Sequence, residues 1–137
     1  MGRIMAIDYG KKRTGLAVTD PLQIIATALA TVETPGLLAY LKQYFLKEQV
    51  DELVIGLPRQ LDNTDSETAP YVRQMVARIN EAFPQLPVKY VDERFTSKIA
   101  LRAMVEGGMK KKDRRKKENV DKVSATLILQ SYLESRR

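Results

Sequence analysis

The sequence predicts an α/β protein with a mixed five-stranded sheet flanked by helices. Short apolar runs of strand length alternate with segments in which apolar residues recur at helical spacing. Three strands come first, separated only by turns, so they are expected to be antiparallel. The later strands are joined through helices, and such crossovers imply parallel neighbours.

The first two strands meet at a carboxylate. Ile4 to Ile7 form an apolar run that ends at Asp8, and Leu16 and Val18 alternate with small or polar residues as the chain returns. Gly10 between them is expected to allow a tight turn with positive φ. Ligands of open α/β sheets gather at the carboxyl ends of strands, so Asp8 is placed for chemistry. Alternatively, it only orders the turn.

The remaining elements follow from the same patterns. A third strand is expected from Ile24 to Val32, and a helix follows Pro35-Gly36. The start of the helix between the last two strands is open, because Thr64 and Glu67 have the spacing of a capping box but Pro70 would then lie beyond the first turn. The apolar positions of the two helices are Leu37, Leu38, Leu41 and Phe45, and Val72, Met75, Val76, Ile79 and Phe83. The segment from Leu53 to Pro58 is expected to be a buried strand followed by a Gly/Pro turn, and the last strand is Val88 to Asp92.

Acids also stand at the ends of two further elements. Asp92 and Glu93 close the last strand, and Asp121 lies in the first turn of a final amphipathic helix for which Asn119 is the expected N-cap. Adjacent strand residues point to opposite faces, so we assign Asp92 to structure and leave Glu93 for the site. Asp8, Glu93 and Asp121 can share divalent metal ions, because Mg²⁺ prefers hard oxygen ligands and keeps open positions for water and substrate.

The chain contains neither His nor Cys. This excludes imidazole bases, Ser-His triads, thiol nucleophiles, disulfides and zinc sites built on His or Cys. Hydrolysis would therefore depend on carboxylates, Lys, Tyr or metal-activated water.

The positive charge is concentrated in one segment. The seven basic residues and one acid from Lys110 to Lys117 have a net charge of +6, which equals the net charge of the whole 137-residue chain. Like charges repel, so a mobile loop at about 108–118 is expected, following a helix that ends at Gly107-Gly108. The loop precedes Asp121 and is expected to attract phosphates; without aromatic residues it is not suited to base stacking. The alternative is a solvated connector.

Length and composition predict a single domain over residues 1–137, in which 44% hydrophobic residues suffice for one core. The sequence has no apolar stretch of roughly 20 residues and no signal-peptide pattern, so no membrane association and a cytoplasmic location are expected.

Four motifs together resemble the YqgF family of small RNase H-like proteins, described as pre-16S rRNA nucleases or Holliday junction resolvases. They are residues 7–20, 54–58 and 92–97, and Asp121 with the helix that follows the basic loop. The resemblance spans essentially the whole chain and implies an RNase H-like sheet. It also implies that Asp8, Glu93 and Asp121 are the catalytic acids and hold Mg²⁺ or Mn²⁺, two ions in all. Related resolvases carry a further acid or His where this chain has Ser124, which leaves three acids.

Other basic residues are candidates for binding nucleic acid. Lys11, Lys12 and Arg13 form a turn beside Asp8, or alternatively an ordinary solvated turn, and Arg94 either clamps a phosphate or pairs with an acid. The loop supplies the others: Lys110, Lys111, Lys112, Arg114, Arg115, Lys116 and Lys117.

These features predict a metal-dependent endonuclease acting on structured nucleic acid. From the resemblance, the substrate is expected to be pre-16S rRNA, with ribosomal particles as possible partners, and a DNA junction is the alternative. A non-catalytic nucleic-acid or ribosome-binding module is a second alternative, against which the three acids speak. An actin-like ATPase begins with a similar strand and turn, but needs two lobes, for which 137 residues are too few.

Overall fold

The computed structural model describes residues 2–57, 69–92 and 117–136; for Asp92 and residues 117–123 it describes the backbone only. Five strands and three helices lie in these ranges. The strands are β1 (Arg3–Asp8), β2 (Arg13–Thr19), β3 (Ala26–Glu33), β4 (Val50–Leu57) and β5 (Val88–Asp92), and the helices are α1 (Leu37–Lys47), α2 (Ala69–Ala82) and α3 (Lys117–Ser135), with a 3-10 turn at Thr34–Gly36 before α1.

The strands form one mixed sheet in the order β3-β2-β1-β4-β5. β1 pairs antiparallel with β2, and β2 with β3, whereas β1, β4 and β5 run parallel. The predicted antiparallel opening followed by crossovers is therefore confirmed. Because β1, β4 and β5 are parallel, their carboxyl ends meet at one edge of the sheet, which we call the catalytic edge.

Each face of the sheet carries a separate apolar core. Met5 and Ile7 of β1 pack with α1 and α2, whereas Ile4 and Ala6 pack with α3 through a cluster that includes Ala125. This is the alternation expected of a strand buried on both faces. We call the two sides the α1/α2 face and the α3 face.

Several expectations about element boundaries need correction. α3 begins at Lys117, so Asn119 lies inside the helix and not at its N-cap, and Lys117 belongs to the helix and not to the loop. Asp121, predicted in the first turn, is therefore the fifth residue of α3 and lies in its second turn. Lys117 and Glu118 are better helix formers than Asn119, and the helix dipole favours a carboxylate such as that of Glu118 near the N-terminus. β3 starts at Ala26 and not at Ile24, because the Asp20 carboxylate accepts hydrogen bonds from the backbone N–H groups of Ile24 and Ile25 and holds both in the turn.

The start of α2 in the structure accommodates Pro70. The helix begins at Ala69, so Pro70 lies in the first turn, where its missing N–H costs nothing. The alternative capping box at positions 64–67 lies outside the described residues, as does the helix predicted before Gly107-Gly108. None of the helices in the described ranges is long and apolar enough to cross a membrane.

Candidate active site

Asp8 is the last residue of β1 and lies at the catalytic edge, half-buried. Ile4 and Ala6 pack on the α3 face, so the alternation of β1 places the Asp8 side chain on this face too. Its partner on β2 is Gly15, which contributes no side chain beside the carboxylate. Asp8 thus faces α3 from a segment of the sheet built from small residues.

The N-terminal end of α3 lies at the same edge. Tyr132, near the other end of the helix, contacts Glu52, which pairs with Ile4 at the start of β1. Arg136 donates a hydrogen bond to Gln23, and Gln23 donates one to the carbonyl of Gly2. The helix therefore runs antiparallel to β1.

The dimensions of helices and strands give the position of residue 121 of α3 along the direction of β1. Residue 121 lies roughly 16 Å from Tyr132 along the helix axis, at 1.5 Å per residue. Asp8 lies roughly 13 Å beyond Ile4 along β1, at about 3.3 Å per residue. The backbone of residue 121 is therefore close to the level of Asp8 on the α3 face.

β5 ends at the catalytic edge as well. Asp92 pairs with Leu57, and β5 lies two strand spacings, roughly 10 Å, from β1. Lys89 contacts Tyr132 of α3 and Val91 packs in the core on the α3 face. Odd-numbered residues of β5 thus lie on the same face as Asp8.

The turn after Asp8 is held by buried threonines. The Thr34 hydroxyl donates to the carbonyl of Gly10, its backbone N–H donates to the carbonyl of Lys12 over 3.0 Å, and its hydroxyl lies 2.9 Å from that of Thr14. Both threonines are buried. The turn that carries the basic residues is therefore fixed to the 3-10 turn before α1.

Gly10 is needed for space and not for its φ. The prediction of a positive φ was wrong, since its backbone lies outside the left-handed region; a Cβ at this position would lie 2.2 Å from the carbonyl oxygen of Arg13. The turn is so tight that the chain folds back against its own backbone, and any side chain would collide with it.

Three consecutive cations follow this turn. Lys11 and Lys12 are exposed, Arg13 is half-buried, and all three line a groove of about 500 Å³ that continues along Val32 to Pro35. The Lys11 ammonium lies 4.7 Å from the centroid of the Tyr71 ring in the first turn of α2. The predicted basic turn beside Asp8 is thus present as an open, positively charged surface.

The other predicted site residues cannot be compared side chain by side chain. Glu93, Arg94 and the basic residues Lys110 to Lys116 lie outside the described residues, and only the backbone is described for Lys117 and Asp121. Within the described residues, no group of three His, Cys, Asp or Glu side chains is placed to hold a metal ion. The part of the predicted site that can be described is Asp8 and the basic turn.

Two features of this region were not predicted. Tyr71 falls outside the apolar spacing of α2, and an exposed aromatic residue off the buried face is the signal that could have revealed it. The contact of Tyr132 with Glu52 joins residues 80 positions apart, for which a single sequence gives no signal.

The sequence matches the model of the family RuvX, described as Holliday junction resolvase, over residues 2–135. Relatives share about half of their residues over nearly their full length. A protein of Bacteroides thetaiotaomicron is 55% identical over 100% of this chain and 99% of its own, and one of Porphyromonas gingivalis is 53% identical over 98% of both. A Flavobacterium johnsoniae protein is 48% identical over 100% of this chain and 99% of its own. All three are named "Putative pre-16S rRNA nuclease".

The fold has a counterpart among solved structures. Thermus thermophilus RuvC in complex with a Holliday junction substrate superposes with a TM-score of 0.57 at 20% identity, covering 99% of this chain and 96% of the other. Thermus thermophilus RuvC alone gives the same TM-score at 19% identity, covering 98% and 95%. The predicted RNase H-like sheet is confirmed, and so is the predicted enzyme class, a nuclease that acts on nucleic acid. The chain belongs to the RuvX family of Holliday junction resolvase-like proteins, as the resemblance to YqgF proteins implied.

Proposed function

We propose that this protein is a metal-dependent endonuclease that cleaves pre-16S rRNA. The observation that carries the proposal is the position of Asp8: a half-buried carboxylate at the end of β1, facing α3 at the edge where β5 ends and α3 begins. The names of the relatives support ribosomal RNA as the substrate. A cytoplasmic location and an association with ribosomal particles follow from that substrate.

Asp8, Glu93 and Asp121 are the proposed catalytic acids. Residue 121, in the second turn of α3, lies near the level of Asp8, as derived above. If the alternation of β5 continues past Val91, position 93 follows Lys89 and Val91 on the α3 face, and position 92 does not. This supports Glu93 over Asp92 as the second carboxylate of the site.

The residues of this region fit a divalent cation. Asp8 supplies a hard oxygen ligand, Gly15 beside it leaves that side of the strand free of a side chain, and the chain contains no softer His or Cys ligand. Asp8, Glu93 and Asp121 would hold two Mg²⁺ or Mn²⁺ ions, which when bound activate water and stabilise the leaving oxygen. Water attacks phosphorus and the bond to the 3′ oxygen breaks, so the products carry a 5′ phosphate and a 3′ hydroxyl.

The basic residues are proposed to hold the substrate backbone. Lys11, Lys12 and Arg13 flank Asp8 on a fixed turn. Arg94, the loop residues from Lys110 to Lys116 and Lys117 are proposed to contact the same backbone. Phosphate contacts of this kind give affinity and orientation without reading sequence.

Cleavage of pre-16S rRNA and of a four-way DNA junction, mapped side by side, tests the substrate. We expect the wild type to cut the RNA with Mg²⁺ and to leave a 5′ phosphate, and an Asp8→Asn variant to cut neither substrate. Cleavage of the junction alone would establish the resolvase alternative, which the family description favours. Binding of RNA without cleavage by the wild type would instead indicate a non-catalytic module.

A further inference from the structure

We infer that Tyr71, together with Lys11, is a stacking site for an unpaired nucleotide at the catalytic edge. This inference rests on the proposed function, because it specifies how the nucleic acid lies beside Asp8. It adds a requirement on the substrate: one unpaired base must be available next to the position of cleavage.

The geometry places an aromatic ring and a cation together on the surface. The Lys11 ammonium lies 4.7 Å from the centroid of the Tyr71 ring, and Tyr71 is 44% exposed. The next residue of α2, Val72, is fully buried in the core, so the helix points Tyr71 away from the sheet. The ring is not needed to fill the core and is available to a ligand.

The groove continues this site with phosphate-binding groups. Lys11 belongs both to the contact with Tyr71 and to the groove of about 500 Å³, which it lines with Lys12 and Arg13. Glu33 lines the same groove and stands directly opposite Arg13 in the register of β2 and β3, so an anion is expected near Lys11 and Lys12 and not near Arg13. One ring and two cations match one nucleotide, its base on Tyr71 and its phosphate on the lysines.

The choice of an unpaired nucleotide follows from the chemistry of the ring. Proteins that bind single strands combine a positive groove with exposed aromatic side chains, on which bases stack without regard to sequence. Bases inside a duplex already stack on each other and offer no free face. A duplex could use the lysines but not Tyr71.

The position also favours a role in substrate placement. Lys11 is three residues beyond Asp8, and its turn is fixed by Thr34. A base held on Tyr71 would therefore have a defined position relative to the carboxylate. The basic loop, which has no aromatic residue, cannot supply this contact.

Affinity measurements in metal-free buffer test the site without cleavage. The probes are a 12-nucleotide single-stranded RNA and a duplex of the same sequence, each with the wild type, Tyr71→Leu and Tyr71→Phe. Stacking of one base predicts a loss of about tenfold in single-strand affinity for Tyr71→Leu, no loss for Tyr71→Phe and no change for the duplex. Tyr90→Leu is the matched control, because Tyr90 is 46% exposed on β5 and should leave both affinities unchanged.

The salt dependence of affinity distinguishes the contribution of the Tyr71 ring from that of the Lys11 charge. Tyr71→Leu should leave the slope of log affinity against log salt unchanged, whereas Lys11→Gln should reduce it by about 0.7 for a single strand. Equal affinity of the wild type and Tyr71→Leu for the single strand overturns the inference, and so does an equal loss for single strand and duplex.

A fluorescent variant gives a second, direct measurement. The chain contains no Trp, so Tyr71→Trp carries the only indole. Its emission should be quenched by the single-stranded RNA and not by the duplex, and Tyr90→Trp should respond to neither. If substitution of Tyr71 does not change single-strand affinity while pre-16S rRNA is still cleaved, the inference fails and the proposed function stands. If Tyr71 binds the single strand but no nucleic acid is cleaved, the proposed function fails and the inference stands.

Discussion

The hydroxyl of Tyr132 donates a hydrogen bond to the carboxylate of Glu52 and so joins α3 to β4 at the end of the sheet opposite Asp8. Lys89 of β5 lies 2.8 Å from the same carboxylate and donates to the Tyr132 hydroxyl over 3.1 Å. The Glu52 side chain is only 13% exposed. Burial opposes its ionisation, but the hydrogen bonds from Lys89 and Tyr132 outweigh this and hold the pKa of Glu52 below its usual range.

This contact gives α3 a defined position along the sheet. The rest of the interface is apolar and includes small residues such as Ala125, Ala6 and Ala17, which fit closely but supply no directional bond. The hydrogen bond from Tyr132 to the buried Glu52 carboxylate is directional and so fixes the position of α3 along the sheet. Since residue 121 is fixed at the other end of the same helix, Tyr132 and Glu52 set where that residue stands relative to Asp8.

Tyr132→Phe should lower the free energy of unfolding by about 1 to 2 kcal/mol, the usual cost of losing a hydrogen bond to a charged group that is partly buried. Urea unfolding at pH 7 measures this. Tyr90→Phe is the control, because Tyr90 is an exposed residue of β5 and its hydroxyl should contribute little. An equal midpoint for Tyr132→Phe and the wild type would contradict the role given to this bond.

The same cluster predicts a dependence on pH. The folded pKa of Glu52 lies below its ordinary value of 4.5, so its stabilisation is fully present above that value and is lost as the pH falls through the folded pKa. The stability difference between the wild type and Tyr132→Phe should therefore be constant near neutral pH and shrink below about pH 4.5. Thermal unfolding over a pH series tests this, and a difference that grows with acid would exclude it.

Gly10→Ala should destabilise the fold by more than about 1 kcal/mol, because the backbone conformation leaves no room for the new methyl group. Its Cβ would meet the backbone carbonyl of Arg13, which cannot move without breaking the turn held by Thr34. Gly36→Ala is the matched control, since no atom lies within 4 Å of a Cβ at that position. Thermal unfolding of both variants checks the expectation, and similar melting temperatures would contradict it.

Much of the fold was predictable because local patterns and tertiary structure agree. The apolar run from Ile4 to Ile7 and the helical spacing from Leu37 to Phe45 each mark an element that packs as expected. The reason why position 10 requires a glycine was not predictable. The backbone of residue 10 approaches the Arg13 carbonyl closely because the turn between them is bonded to the 3-10 segment, which comes later in the chain. The contact of Lys11 with Tyr71 was missed for the same reason, since it depends on how α2 follows β4.

The candidate site was predictable only in part. Asp8 follows from the end of an apolar run, and the parallel pairing of β1, β4 and β5 explains why strand ends distant in sequence meet at one edge. The level of residue 121 depends on the contact between Tyr132 and Glu52, which joins segments far apart in the chain. The catalytic roles of Asp8, Glu93 and Asp121 remain predictions.

Asp8→Asn and Glu93→Gln should each keep or raise the melting temperature in metal-free buffer, because three carboxylates brought together repel one another. The same variants should lose activity by about a hundredfold or more if the carboxylates hold the metal. Mg²⁺ should raise the melting temperature of the wild type more than that of either variant, since it binds a site present only in the folded state. Wild-type turnover in either variant would exclude that residue from the site.

The basic loop should supply most of the long-range attraction for nucleic acid, because the rest of the chain has no net charge. Replacing its six basic residues by Ser, and Lys117 at the start of α3 by Gln, should reduce the slope of log affinity against log salt by about 3, the value for three or four phosphate contacts at about 0.9 each. Lys42→Gln with Lys47→Gln, on the exposed side of α1, should leave the slope unchanged.

Single-turnover cleavage at saturating substrate should keep its rate in the loop variant. An unchanged slope would make the loop a solvated connector, whereas a lower saturated rate at unchanged affinity would place the loop in catalysis and not in binding.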